Sequence, residues 1–119
     1  MIEAQANPVA RGWVWMLWAA AAYNLIVGVP GIFLGGASDE ARIVSLLVAC
    51  FGLVYGMIAQ APTRYAPVLW TGVIGKIGVL AIMGAAVMRG TQPVALVPVL
   101  AGDALFTLAF IAFLVTRGR

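Results

Sequence analysis

Residues 65–88 read YAPVLWTGVIGKIGVLAIMGAAVM, and this stretch decides the fold. A helix on the surface of a small soluble domain shows a polar face every three to four residues, and this one does not. Its length matches the run of about 20 apolar residues that a helix needs to cross a hydrocarbon layer roughly 30 Å thick. A single charge interrupts it: Lys76, near the middle.

Outward from this stretch, three more runs of the same kind occupy about 13–35, 43–60 and 94–115. Each is bounded by polar, Gly or Pro punctuation. Arg11-Gly12 precedes the first, and Gly36-Ala37-Ser38-Asp39-Glu40 separates it from the second. Pro62-Thr63-Arg64 closes the second, and Arg89-Gly90-Thr91-Gln92-Pro93 leads into the fourth. These connections are too short for a soluble domain. The expected fold is therefore all-α: an integral membrane, antiparallel bundle of four transmembrane helices, forming a single domain over residues 1–119. The first run is expected to be a retained helix and not a cleaved signal. No cluster of charge precedes it, and its apolar character continues past Ala19–Ala22 to Leu34.

Composition points the same way and excludes several function classes. The chain is 64% hydrophobic and 9% charged, whereas a soluble domain carries roughly 25% charged residues. It has no His, which removes the commonest general base and metal ligand. The one cysteine, Cys50, cannot form an internal disulfide or a thiolate cluster, and is expected to be a small buried residue. Nothing matches a Walker loop or a dinucleotide fingerprint. No catalytic signature, metal or cofactor is therefore expected. An intramembrane enzyme acting on a lipid or quinone stays a third reading, with Lys76 and Asp103 as acid and base but no nucleophile or metal beside them. The net charge of +3 comes from basic residues scattered at segment ends, a pattern of membrane topology and not of nucleic-acid binding. The expected partners are the lipid bilayer and either further copies in a homo-oligomer or a larger membrane complex.

Arg11, Arg64, Arg117 and Arg119 fall on one side of a four-span arrangement, and Arg42 and Arg89 on the other. The positive-inside rule then places both termini in the cytoplasm of a bacterial-type inner membrane. Trp13, Trp15, Trp18, Tyr65 and Trp70 gather at the same end, as interfacial anchors do.

Two charges remain inside the spans. Lys76 and Asp103 each cost about 2.5–3.5 kcal/mol at mid-membrane on an insertion scale. In an antiparallel hairpin they differ in depth by about three residues, or roughly 4.5 Å, which a lysine stem can bridge. An ion pair is the expected resolution. Asn24 stands at the midpoint of the first span on a face of small residues with Leu17, Ala20, Ala21, Gly28, Gly31 and Gly35. The second span carries Ser45, Ala49, Gly52, Gly56 and Ala59, with Gly52 and Gly56 in the spacing that lets helix backbones approach closely. Gly72 and Gly75 flank Lys76, Tyr55 borders the second stripe, and Thr107 follows Asp103 by one turn. Asn24, Tyr55, Lys76, Asp103 and Thr107 are thus the candidate binding or proton-relay residues. Gly28, Gly31, Gly52, Gly56, Gly72 and Gly75 are the candidate packing residues. Pro98, inside the fourth run, is expected to free a carbonyl toward a cavity, and Pro30-Gly31 to bend the first helix. Pro67 and Pro93 are expected in first helical turns, where proline is tolerated.

The plan resembles small DoxX-like four-helix membrane proteins in topology alone, which implies no activity. The glutamate on which small multidrug exporters centre their first helix is replaced by Asn24. The Thr-Thr-Phe-Ser segment of fluoride channels does not occur. The leading expectation is a small transporter or permeation protein in which Asp103 binds a proton or cation and Lys76 tunes its pKa or competes for it. The alternative is an accessory or assembly subunit in which the pair is structural.

Overall fold

The computed structural model describes residues 9–116, and these are helical apart from short connections. Helix α1 (Arg11–Phe33) and helix α2 (Asp39–Gln60) form one hairpin. A single turn, α3 (Pro62–Tyr65), and a 3-10 turn (Ala66–Val68) lead to α4 (Leu69–Met88). A second 3-10 turn (Val94–Leu96) opens α5 (Val97–Thr116), which packs on α4 as a second hairpin. The chain divides into two compact units, Met1–Ala66 and Pro67–Arg119. The four long helical stretches are long and apolar enough to span a membrane. Arg117 and Arg119, part of the predicted orientation signal, lie outside the described residues.

The connections differ from expectation where capping chemistry outweighs hydropathy. Helix α1 runs through Pro30 to Phe33, then Leu34 turns extended and Gly36 takes φ 84°. Gly35, expected on the Asn24 face, therefore lies beyond the helix, and a Cβ there would meet nothing within 4 Å among the described residues. Helix α2 begins earlier than the hydrophobic run. Ser38 caps it, its Oγ accepting the Ala41 N–H at 3.1 Å. Asp39 and Glu40 fill the first turn, where carboxylates favour the positive end of the helix dipole. Arg42 reaches back across the turn and its Nε donates to the Ile32 carbonyl at 2.7 Å. That contact satisfies a backbone acceptor at the end of α1, which has no helical donor of its own.

The prolines act through the hydrogen bonds they cannot make. Pro62 starts α3 at a position whose N–H has no helical acceptor. Pro67 falls inside the 3-10 turn, so the third span has a stepped start and not the single helix expected from Tyr65 onward. Pro98 is the clearest correction. It occupies the first turn of α5 and not its interior. The carbonyl it cannot serve belongs to Val94, and this accepts the N–H of Val97 in the 3-10 turn. The ladder shifts from i→i−4 to i→i−3 just where the donor is missing, so that carbonyl is not freed toward a cavity. At the other side of this loop α4 ends in a Schellman motif. Gly90 takes φ 78° and donates to the Val87 carbonyl, while the Thr91 N–H and Oγ1 both donate to Ala86.

The first hairpin buries small residues together with Leu17, Tyr55 and Ile58, while many other large apolar residues face outward. Helix α1 buries Ala20, Ala21, Asn24 and Gly28, and α2 buries Ala49, Gly52, Gly56 and Ala59. Ile26 and Phe33 on α1 are 72% and 76% exposed, and Leu53 and Met57 on α2 are more than half exposed. A soluble helix pair exposes far less contiguous apolar surface. The glycines set the approach of α1 to α2. A Cβ on Gly28 would lie 2.7 Å from the Ala49 amide nitrogen and 2.8 Å from the Ser45 carbonyl oxygen. A Cβ on Gly52 would stand 3.0 Å from the Ala21 carbonyl oxygen, and one on Gly31 would overlap the Ser45 side chain. A Cβ on Gly56 would stand at an ordinary 3.4 Å from the Trp18 ring. Cys50, expected to be buried, is exposed. It follows the buried Ala49 by one residue, and a helix turns about 100° per residue, away from the α1 contact.

Candidate functional site

The polar residues singled out from sequence fall in two groups. Asn24 and Tyr55 belong to the first unit; Lys76, Asp103 and Thr107 belong to the second.

In the first unit, Asn24 is 5% exposed and its Nδ2 donates to the Val48 carbonyl at 2.9 Å. An α2 carbonyl already inside the helix ladder has a second lone pair to offer. Asn24 can reach it because Gly28 and Gly52, one turn away on either helix, hold the backbones close. The side-chain amide therefore ties α1 to α2. Tyr55 is 2% exposed and its ring is tilted against Phe51 on the same helix, with centroids 6.2 Å apart.

In the second unit, Lys76 Nζ stands 2.6 Å from Asp103 Oδ1. The lysine side chain is 7% exposed and the aspartate 14%. The hairpin geometry explains how they meet. Lys76 lies about 18 Å of α-helix before Met88. Asp103 lies about 15 Å beyond Val94, counting the longer rise of the 3-10 turn. The depths differ by about 3 Å, less than a lysine stem. The expected ion pair thus forms, and it joins α4 directly to α5. At this separation the contact is a charge-assisted hydrogen bond as well as a Coulomb pair.

Thr107 is buried, but its Oγ1 donates to the Asp103 backbone carbonyl at 2.7 Å and not to the carboxylate. This is the i−4 back-bond that threonine makes within a helix, so the hydroxyl is spent locally. Of the two glycines beside the lysine, Gly72 is buried, whereas Gly75 is on the open side of α4. A Cβ on Gly75, Gly78 or Gly84 would meet nothing within 4 Å among the described residues. Gly75 therefore does not pack α4 on α5 as its place beside Lys76 had implied.

A separate depression runs along α1, lined by Arg11, Val14, Trp15 and Trp18. None of the five polar residues lines it. No group of three or more metal-ligating side chains converges among the described residues. The Val48 carbonyl and the Ile32 carbonyl are the partners that sequence reasoning could not supply, because backbone acceptors carry no residue-type signal.

The chain matches no protein-family model, no curated protein and no solved structure.

Proposed function

We propose that the chain is a multi-pass protein of a bacterial-type inner membrane, with both termini cytoplasmic, acting as an accessory or assembly subunit of a larger membrane complex. The membrane placement draws support from four helices of sufficient length and from large apolar residues turned outward. In water that distribution would expose extensive apolar surface to solvent. The orientation follows the excess of arginine at one end.

The observation that carries the functional reading is the closure of Lys76 on Asp103 within one hairpin. Both mid-span charges are spent on joining α4 to α5, as Asn24 is spent on joining α1 to α2. Gly28, Gly31 and Gly52 are likewise consumed by the close approach of α1 to α2. An added Cβ on Gly75, Gly78 or Gly84 of α4 would meet nothing within 4 Å among the described residues, and small residues on a membrane helix permit close approach of another helix. Purification in mild detergent at native expression level tests this. The protein should migrate with a larger membrane complex, and so should Lys76→Met/Asp103→Leu, which keeps the shape and drops the charges. A protein that always runs alone or only with itself contradicts the accessory role.

A second reading, a small transporter, has one observation in its favour. Asp103 receives the ammonium through Oδ1 and its side chain keeps 14% exposure, so carboxylate acceptor capacity remains for a proton or cation. Proteoliposomes decide it. Flux that is present in the wild type and lost in Asp103→Asn would support transport; absence of flux for protons and monovalent cations would leave the accessory role.

A further inference from the structure

We infer that the face of α1 formed by Arg11, Val14, Trp15 and Trp18 binds an anionic phospholipid, with the phosphate on Arg11 and the acyl chain along the two indoles. The inference rests on the membrane placement proposed above but not on the accessory role.

The four residues are spaced by three, four and seven, so they share one face, and Arg11 to Trp18 spans about 10.5 Å along the axis. They line an open, shallow depression of about 360 Å³ along the helix. Its chemistry is graded along the helix. Arg11 lies at the first residue of α1, where a membrane helix meets the headgroups. Trp15 follows by one turn at 67% exposure, and Trp18 by two turns at 42%. Trp18 is backed by α2, since the absent Cβ of Gly56 leaves room for its ring. It therefore forms a fixed wall, while Leu17, Ala20 and Ala21 face the buried side.

Charge selects the occupant. Arg42 is engaged by the Ile32 carbonyl, and Arg64 lies over the Tyr65 ring at 5.5 Å. Arg11 makes no ion pair among the described residues, and the acids described in its unit, Asp39 and Glu40, stand at the other end of the hairpin. Ala10 caps α1 without a side-chain acceptor, so first-turn N–H groups point toward the same end as the guanidinium. An N-terminal turn and an arginine together suit phosphate oxygens. A zwitterionic headgroup carries its own cation and competes with the guanidinium, whereas an anionic one does not.

Quenching by brominated acyl chains tests the assignment in bilayers. Trp13→Phe/Trp70→Phe leaves Trp15 and Trp18 as reporters. Brominated phosphatidylglycerol, at low mole fraction in phosphatidylcholine, should quench with about fivefold preference over brominated phosphatidylcholine. That ratio corresponds to the roughly 1 kcal/mol that one basic residue contributes at an anionic lipid surface. Arg11→Gln should reduce the preference to parity, and Arg64→Gln should leave it intact. Equal quenching by the two lipids, or a preference that survives Arg11→Gln, overturns the site while leaving the membrane placement standing. Quenching by neither lipid overturns both.

Discussion

Replacing Gly28 with alanine should separate the two helices of the first hairpin. The added Cβ would sit 2.7 Å from the Ala49 nitrogen and 2.8 Å from the Ser45 oxygen, against an ordinary contact beginning at 3.4 Å. Both obstacles are backbone atoms, so no side-chain rotation relieves them. The helices must part by about 0.7 Å. Overpacking of this kind costs about 1–3 kcal/mol. Parting also strains the Asn24–Val48 bond one turn away, and interhelical hydrogen bonds in membranes average about 0.6 kcal/mol. A loss of about 2–3 kcal/mol is expected. Gly31→Ala meets the Ser45 Oγ and also the Ser45 Cβ, at 2.8 Å. A rotamer change moves the hydroxyl but not the Cβ, so the helices must part here too, and about 1–3 kcal/mol is expected. Gly75→Ala meets nothing within 4 Å, and should be neutral or gain up to about 1 kcal/mol from helix propensity. Reversible unfolding in mixed micelles, followed by circular dichroism across a denaturing-detergent titration, gives the order. Equal costs at Gly28 and Gly75, or a neutral Gly28→Ala, would refute the close-approach argument.

Other perturbations follow from single contacts. Asn24→Leu removes the bond to Val48 and should destabilise the first hairpin by about 0.6–2 kcal/mol in the same titration, with no change in the second hairpin. Ser38→Ala should fray the start of α2 at a cost of about 1 kcal/mol, read as faster amide exchange at Ala41 and Arg42. Labelling of Cys50 by a membrane-permeant maleimide separates two placements: an exposed thiol facing water labels quickly, whereas one facing lipid labels slowly until detergent is added. The membrane reading predicts the slow case.

Much of this fold was legible because long, unbroken apolar helices announce themselves by length. The four runs, the glycines of α1 and α2, and the Lys76–Asp103 pair could each be read from spacing alone. The pair was legible for an additional reason: two charges of opposite sign at nearly equal depth have few inexpensive resolutions in hydrocarbon. The parts that hydropathy misread were local. It took residues 36–40 for a loop, whereas Ser38, Asp39 and Glu40 start a helix by capping. It also placed Pro98 inside a helix, because a 3-10 turn is indistinguishable from α-helix in an apolar run. Gly75 and Cys50 illustrate a different limit. Periodicity tells which residues share a face, but not which faces another helix covers. Gly28 and Gly75 look alike in sequence; only the first has a neighbour's backbone against it.

Lys76 and Asp103 form one closed unit that locks α4 to α5. A double-mutant cycle on unfolding free energy measures this directly, using Lys76→Met, Asp103→Leu and the double variant. Each single change strands a buried charge and should cost about 3–5 kcal/mol, whereas the double should fall near the wild type or be more stable by about 1–4 kcal/mol. Single variants that unfold like the wild type, or a double whose cost equals the sum of the two singles, would contradict it.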